Sequence, residues 1–406
     1  MSLVQSPFKR LVLGIQFLFV AFGATVLVPL LVGIDPAVAL CTAGVGTLMF
    51  HVITGGKVPV FLGSSFAFIA PIIAATESYG LPGALGGLMA VGVIYMLSSL
   101  LIKLKGPGFI IKLFPSVVVG PVIMVIGLSL SSVGVDMAKG NWLVASVVLA
   151  AAIFTVVMAK GMLRLLPILV GLVVGYGGAL ALGMVDLSPI SQAPWFALPG
   201  FVLPAWNPQA ILFLLPVAIA PMIEHIGDMY AIGGVAGEDY VAKPGLHRTL
   251  MGDGVATFFA GLAGGPPNTT YSEVTGALSL TGVTDARILR ISAVTAIVFS
   301  FIGKISAMLQ TIPAPVLGGI MLLLFGMIGC VGIKILIDSE TDLNQTRNQV
   351  IVSVVLAVGI GGASISFGQF TLAGIGLASV VGVILNLILP GVSHPMERPD
   401  HEDIVI

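Results

Sequence analysis

Long apolar runs, separated by short polar or glycine- and proline-rich stretches, recur along the whole chain. An apolar helix of about 20 residues crosses a bilayer, and a broken helix needs fewer. We interpret the first run, which follows a short basic lead, as a retained helix and not as a cleaved signal. The spacing predicts fourteen membrane-spanning segments: 10–33, 36–54, 59–75, 81–104, 114–135, 141–159, 163–183, 207–233, 246–263, 267–281, 286–309, 313–337, 348–366 and 370–391.

The third and tenth of these segments are short and polar, and each follows a glycine pair. Gly55-Gly56 and Gly264-Gly265 are 209 residues apart. The spacing Pro115-x-x-x-x-Gly120 also returns at Pro313, 198 residues later. These matches predict two halves, 1–206 and 207–406, with seven segments in each. Because seven is odd, the second half would lie inverted in the membrane, which is a common plan among transporters.

Composition narrows the class of protein further. The chain is 57% hydrophobic and 9% charged, with a mean hydropathy of +1.12, whereas soluble proteins carry about 25% charged residues. The apolar runs are continuous, so they do not match the alternating strands of an outer-membrane barrel. A net charge of −1 favours no nucleic-acid partner. The sequence contains no metal-ligand spacing, phosphate-binding loop or nucleophile motif, so we expect neither an enzyme nor a cofactor.

The basic residues sort onto one side of the predicted layout. If the N-terminus is cytoplasmic, fourteen segments return the C-terminus to the same side, and only Lys139 and Lys304 of the 17 basic residues fall near the outer side. This asymmetry is typical of inner-membrane proteins with both termini in the cytoplasm. The predicted inner residues are Lys9, Arg10, Lys57, Lys103, Lys105, Lys112, Lys160, Arg164, Lys243, Arg248, Arg287, Arg290, Lys334, Arg347 and Arg398.

Three acids lie inside apolar segments. Glu224 and Asp228 are four residues apart in Leu212–Tyr230, so they share one face of a helix. Glu273 lies in the tenth segment. An acid at the centre of a bilayer costs about 2.5–3.5 kcal/mol by insertion scales, so acids kept there usually serve a substrate site or a proton relay. A structural ion pair is the alternative, but these segments carry no Lys or Arg; His225 is turned about 100° away and could face another helix.

The broken segments suggest where such a site lies. Phe61–Phe68 and Asn268–Glu273 occupy corresponding places in the two halves. Irregular backbone at membrane depth is tolerated where it lines a cavity, and half-helix N-termini there offer free N–H groups. Small-residue helix contacts are the alternative explanation. Acids together with N–H donors favour a planar neutral lactam, with Phe66, Tyr271 and Phe325 as flat apolar contacts.

At these residues the chain resembles the nucleobase–ascorbate transporter (nucleobase:cation symporter 2) family, and within it the bacterial uracil permeases. The similarity extends over nearly the whole chain. The motifs that carry it are Phe22–Pro29, Gly63–Phe68, Trp195–Pro199, Glu224–Gly227, Pro244–Arg248 and Pro267–Glu273.

The resemblance implies a division into two domains. A core domain would comprise approximately 10–104 and 207–309, and a gate domain approximately 114–183 and 313–391. Short antiparallel strands are expected in segments three and ten, within an otherwise all-α fold of fourteen segments in two inverted repeats. The resemblance also implies a homodimer in the lipid bilayer.

The resemblance assigns roles to individual residues. Glu224 and Glu273 would hydrogen-bond the base, and the backbone at Phe66 and Ser272 would contact its carbonyl groups. Protons would be the coupling ion, carried by the two glutamates together with Asp228. The remaining expected residues are Ala24, Tyr271 and Phe325, which would shape the pocket, and Ser64, Ser65, Asn268 and Thr269, which would support it.

Two departures from the family pattern bear on this expectation. Asp228 stands where similar uracil permeases have histidine, and Gln16-Phe17 stands where Gln-His is common. Glu273 favours uracil, since purine-type members tend to have glutamine there.

We therefore expect an inner-membrane, proton-coupled importer of uracil or a related nucleobase that works by alternating access. The alternatives are a xanthine- or urate-type symporter and a sulfate-type anion carrier of the same fold.

Overall fold

The computed structural model describes residues 6–106, 108, 114–367 and 370–391. Lys112 and Arg398, both predicted on the inner side, lie outside this part of the chain. The helices are α1 Pro7–Val32, α2 Pro36–Ile53, α3 Ile69–Lys105, α4 Ser116–Ala138, α5 Trp142–Met158, α6 Pro167–Ala181, α7 Ser188–Gln192, α8 Pro208–Leu214, α9 Ile219–Ala236, α10 Leu246–Ala263, α11 Ser272–Thr281, α12 Ala286–Ser300, α13 Gly303–Gln310, α14 Ala314–Asp338, α15 Thr346–Ile360 and α16 Gly374–Ile388.

Short elements complete this framework. The strands are β1 Leu62–Ser64, β2 Asn268–Thr270, β3 Ser364–Phe367 and β4 Phe370–Ala373. Tight 3₁₀ turns lie just before three of the helices: Phe66–Phe68 before α3, Gly161–Leu165 before α6 and Leu215–Ala218 before α9.

Many of the helices have the length and composition of membrane spans. Among the described residues, six helical stretches are long and apolar enough to cross a bilayer, and four shorter apolar helices accompany them. The fold is therefore a predominantly helical, polytopic membrane fold. In α3, Gly80 has the non-helical angles φ 72° and ψ 160°, just before Pro82. This break separates the predicted third and fourth segments.

The helices pack in two sets around a central space. In one set, α10 packs on α2 and α3, and α12 packs on α1 and α2. In the other, α14 packs on α4, α5 and α6, and α15 packs on α4 and α16. The first set belongs to the predicted core ranges, and the second to the predicted gate ranges.

Glycine allows the second set to pack closely. A Cβ at Gly127 of α4 would lie 2.5 Å from the backbone nitrogen of Gly329 in α14, and it would also meet the carbonyl oxygen of Phe325. Close backbone approach at small residues is a general means of helix association in membranes. It places Phe325, which is fully buried, in the contact between α4 and α14.

The two predicted broken segments meet at the centre of the molecule. Strands β1 and β2 pair antiparallel, with Leu62 opposite Thr270, Gly63 opposite Thr269 and Ser64 opposite Asn268. Each strand is followed almost at once by helix, at Phe66 and at Ser272. The crossing therefore brings two helix N-termini to one place.

Four predicted segments differ from the observed elements. The segment 207–233 is divided into α8 and α9, and the segment 286–309 into α12 and α13. The segments 348–366 and 370–391 were expected to be helical throughout, which is wrong at their junction, where β3 and β4 form an antiparallel hairpin. Gly362, with a φ of +67°, follows the end of α15. The sequence of Ser364–Phe367 then alternates polar and apolar residues, a period typical of strands.

Candidate functional site

A cavity of about 560 Å³ lies between the two sets of helices. One wall consists of α1, α9, α11 and the β1–β2 crossing, and it carries all the polar residues among the described lining. The members of this wall are Phe19, Val20, Gly23, Phe66, Ala67, Ala220, Ile223, Glu224, Gly227, Asp228, Thr269, Thr270, Tyr271, Glu273 and Gly276.

The described residues of the opposite wall are all apolar. It is formed by α4, α5, the start of α6 with the residues just before it, and a long stripe of α14. Apolar contact there and convergent polar groups on the facing wall are the usual make-up of a small-molecule site. The members of this wall are Val119, Ile123, Ile126, Ala152, Leu165, Leu166, Pro167, Ile168, Leu169, Ile320, Leu323, Leu324, Met327, Ile328, Val331 and Ile335.

The three predicted acids converge on the polar wall, but their surroundings differ. Glu224 is exposed to the cavity and Glu273 is partly exposed, whereas Asp228 is only 5% exposed. The hydroxyl of Thr270 donates a hydrogen bond to the Asp228 carboxylate. Glu224 interacts electrostatically with both other acids. Two carboxylates thus face the cavity, and the third is tied to strand β2.

Side-chain bonds fix the crossing of the broken segments. The Tyr271 hydroxyl donates to the carbonyl oxygen of Ser64 at 2.9 Å, and the Ser64 hydroxyl donates to the carbonyl oxygen of Thr25 at 3.0 Å. A Cβ at Gly63 would lie 2.5 Å from Cζ of Tyr271 and 2.6 Å from Oγ1 of Thr25. Glycine is therefore needed at position 63 for Tyr271 to reach Ser64.

A second group of bonds anchors β2 to its neighbours. The Asn268 side-chain amide donates to the carbonyl oxygen of Thr42 at 3.0 Å, and the Thr257 hydroxyl donates to the carbonyl oxygen of Asn268 at 3.0 Å. The backbone N–H of Ser65 donates to the carbonyl oxygen of Pro267 at 2.8 Å. Ser65 and Asn268 thus support the crossing from behind the cavity.

The helix N-termini supply the donors of the site. Helix α11 begins at Ser272 with Tyr271 as its N-cap residue, and the carbonyl oxygen of Tyr271 accepts from the N–H groups of Val274 and Thr275. First-turn N–H groups have no partner within their own helix. The backbone N–H of Ser272, and that of Phe66 on the other segment, can therefore donate to a ligand carbonyl, whereas the N–H of Glu273 donates to its own carboxylate.

Two of the predicted pocket residues lie behind the cavity walls. Ala24 is 1% exposed and Phe325 is fully buried, and neither is among the described residues that line the cavity. Their neighbours Gly23 and Leu324 line it instead. The rotation of α1 and α14, which places Gly23 and Leu324 inward, depends on packing that periodicity alone does not reveal.

A buried cluster behind α9 was missed in the sequence. Nδ1 of His225 lies 2.9 Å from Oδ2 of Asp253 in α10, and Nε2 lies 2.9 Å from Oγ1 of Thr249. His225 and Asp253 are both fully buried. An acid within the apolar segment 246–263 was the available signal, of the same kind that identified Glu224. Thr270, the partner of Asp228, gave no signal in the sequence.

Comparisons with known proteins agree on a family of transporters. A family model described as "Permease family" matches residues 8–366. The probable uracil permease of Pasteurella multocida is 50% identical, with 96% of this chain and 95% of that protein covered. The uracil permeases of Bacillus caldolyticus and Escherichia coli K12 are 49% and 40% identical, with 93% and 97% of this chain and 91% and 93% of those proteins covered.

Solved structures share the fold at low sequence identity. The transmembrane domain of the cyanobacterial bicarbonate transporter BicA superposes with a TM-score of 0.64 at 18% identity, covering 95% of this chain and 98% of that domain. SLC26A9 superposes with a TM-score of 0.65 at 13% identity, covering 94% of this chain and 64% of that protein. These likenesses bear on the fold alone.

Adjacent threonines of β2 offer a test of the Asp228 contact. Thr270 donates to Asp228, whereas the buried Oγ1 of Thr269 has no hydrogen-bond partner among the described residues. We expect Thr270→Val to lower the free energy of unfolding by about 1–3 kcal/mol, because a buried acceptor loses its donor. Thr269→Val should change it little. Thermal unfolding of both variants in the same detergent checks this, and equal shifts would contradict the role given to Thr270.

Proposed function

We propose that this chain, which belongs to the nucleobase–ascorbate transporter (nucleobase:cation symporter 2) family, is a proton-coupled secondary symporter that imports uracil or a closely related nucleobase. The observation that carries the proposal is the facing pair of walls: two cavity-exposed carboxylates beside helix N-termini on one side, and an apolar surface on the other. The curated relatives named as uracil permeases support the choice of substrate class.

Recognition would use both kinds of polar group. The Glu224 and Glu273 carboxylates would accept from the ring N–H groups of the base. The backbone N–H groups at Phe66 and Ser272 would donate to its carbonyl groups, while the apolar wall covers a ring face. A lactam ring carries N–H and C=O groups side by side, so it matches this alternation of acceptors and donors.

Coupling to protons would use the three carboxyl groups. Glu224, Asp228 and Glu273 lie close enough that three negative charges together would be costly in a poorly hydrated site. A bound proton lowers this repulsion, which supports a cycle in which proton and base bind together. Asp228 would communicate proton binding to strand β2 through Thr270.

Alternating access would move the core, 10–104 and 207–309, against the gate, 114–183 and 313–391. The position of the cavity between the two sets of helices supports this division, and so does the apolar gate wall, whose described lining residues carry no polar side chain that would resist sliding. If both termini are cytoplasmic, as the basic residues favour, the cavity extends toward the cytoplasm along the start of α6 and the end of α14.

Anion transport is the second candidate, because the fold is shared with a bicarbonate transporter. Two carboxylates facing the cavity would repel a small anion, and no basic side chain is among the described lining residues to offset them. Purine transport is the third candidate, and the carboxylate of Glu273 is the feature against it.

Uptake by purified protein in proteoliposomes tests the proposed function directly. Radiolabelled uracil would be supplied with and without an inward proton gradient and challenged with unlabelled xanthine or sulfate. We expect accumulation driven by the gradient and reduced only by pyrimidines. Transport of sulfate or xanthine in place of uracil would overturn the proposal while leaving the fold intact.

Removing the charge of Glu273 should weaken uracil binding. We expect Glu273→Gln to raise the dissociation constant roughly tenfold to hundredfold, because a hydrogen bond to a charged group contributes about 1.5–3 kcal/mol. Competition by xanthine should increase. Glu77→Gln is the matched control, since Glu77 is exposed and does not line the cavity. Unchanged affinity in Glu273→Gln would contradict the assigned site.

Asp228 should matter more for coupling than for binding. In Asp228→Asn the amide oxygen can still accept from Thr270, so the geometry is retained while the charge is lost. We expect proton-driven accumulation to fall sharply while uracil counterflow is retained. Asp136→Asn, at an exposed position paired with Lys139, is the control. A loss of counterflow as complete as that of driven uptake would rule out this separation.

A further inference from the structure

The apolar wall of the cavity is longer than the polar wall. The lining stripe of α14 runs from Ile320 to Ile335, and 15 residues of α-helix span about 22 Å. The lining residues of α9 run only from Ala220 to Asp228, which corresponds to about 12 Å. Part of the apolar stripe therefore has no acid opposite it.

Close contacts show which part that is. A Cβ at Gly175 of α6 would lie 2.7 Å from Val316, and one at Gly171 would lie 3.3 Å from Ile320. The later residue of α6 is beside the earlier residue of α14, so the two helices run antiparallel. Counting back along α6 then places its first residue, Pro167, near the level of Leu324. Leu165 ends the 3₁₀ turn just before α6, so it lies beyond that level, toward Met327.

The polar wall ends near that level. Gly276 of α11 is beside Leu165, with its added Cβ 3.6 Å from Cδ2. Gly23 of α1 is beside Ile168, with its added Cβ 2.6 Å from Cγ2, and the Ser64 hydroxyl donates to Thr25, two residues further along α1. Tyr271 bonds Ser64, so it lies near the level of Ile168, on the side of Glu273 opposite to Gly276. Glu273 therefore lies before the level of Met327, and Val331 and Ile335 lie one to two helical turns beyond it.

This apolar extension, defined by Leu165, Leu166, Met327, Ile328, Val331 and Ile335, has no polar side chain among its described lining residues. This inference rests on the proposed function, in which the polar wall holds the N–H and C=O groups of a uracil ring. The ring edge formed by C5 and C6 carries no polar group and is free to face the extension. A short hydrocarbon chain on that edge would reach surface that uracil leaves uncovered.

We propose that the cavity binds pyrimidine bases carrying an apolar chain at C5 or C6, with the chain lying along α14 between Met327 and Ile335. Such compounds bind more tightly than uracil and are not transported. The chain occupies the space between the apolar extension and the facing wall, so the two sets of helices cannot close over the base.

Binding of a graded ligand series to purified full-length protein tests the proposal. The ligands are uracil and 5-methyl-, 5-propyl- and 5-hexyluracil with the corresponding 6-substituted compounds, measured by calorimetry in one detergent. Each methylene that enters the extension should tighten binding about three- to fourfold. Hexyluracil should inhibit uracil transport without being accumulated itself. Equal affinities across both series, or accumulation of hexyluracil, would overturn the proposal.

Two variants locate the hydrocarbon chain of the bound ligand. Val331→Phe fills the extension, so hexyluracil should bind this variant no more tightly than uracil binds it; Ile335→Phe gives an independent second test. Ile333→Phe is the matched control, because Ile333 is exposed and does not line the cavity. If hexyluracil still binds more tightly than uracil in both Val331→Phe and Ile335→Phe, its hydrocarbon chain lies elsewhere and the inference is refuted.

A ligand control separates this inference from other outcomes. The N1,N3-dimethyl derivative of hexyluracil lacks the ring N–H groups that would donate hydrogen bonds to the carboxylates, so its binding should be lost. If it binds as well as hexyluracil, the extension is a site for a hydrocarbon chain alone and the proposal fails. If uracil does not bind but hexyluracil does, in a Val331-dependent manner, the proposed substrate fails and the extension stands. If uracil binds without any hexyl gain, only this inference fails.

Discussion

The pairing of β1 with β2 is the interaction on which the site depends. Backbone N–H and C=O groups cannot remain unpaired in the bilayer interior, so a helix broken there needs another partner for its backbone. Leu62–Ser64 and Asn268–Thr270 provide this partner for each other. Once they are paired, the helices that follow them must begin at the centre of the molecule. The backbone donors at the cavity are thus a consequence of how the broken segments satisfy their own hydrogen bonds.

The two walls of the cavity differ in the kind of contact they offer. The polar wall is cross-linked by directional bonds, among them Tyr271 to Ser64 and Asn268 to Thr42, so its acceptors and donors keep fixed positions. The apolar wall offers dispersion contact, which depends little on register. In the proposed cycle, one wall would recognise a ligand bound between them and the other would cover it, and relative motion of the walls would break none of the bonds that recognise the ligand.

The sequence predicted the elements of this site better than their orientation. Helical spacing placed Glu224 and Asp228 on one face, and glycine before polar residues marked both broken segments. The direction of Phe325 was not predictable, because it depends on Gly127 admitting the backbone of α14. The β3–β4 hairpin was missed because long apolar runs outweighed a short alternating stretch. Asp253 had a signal in the sequence, as an acid in an apolar segment, but its pairing with His225 was not predictable because the two residues lie in distant segments.

The rotation of α9 finally explains why neighbouring acids differ in exposure. His225 lies about 100° around the helix from Glu224, and Asp228 about 40°. The first is held by Thr249 beside Asp253, and the second by Thr270. Two fixed directions leave the helix no freedom to turn, so Glu224 must point into the cavity. The buried cluster therefore orients the acid that faces the cavity, although none of its own residues, His225, Thr249 and Asp253, is among the described lining residues.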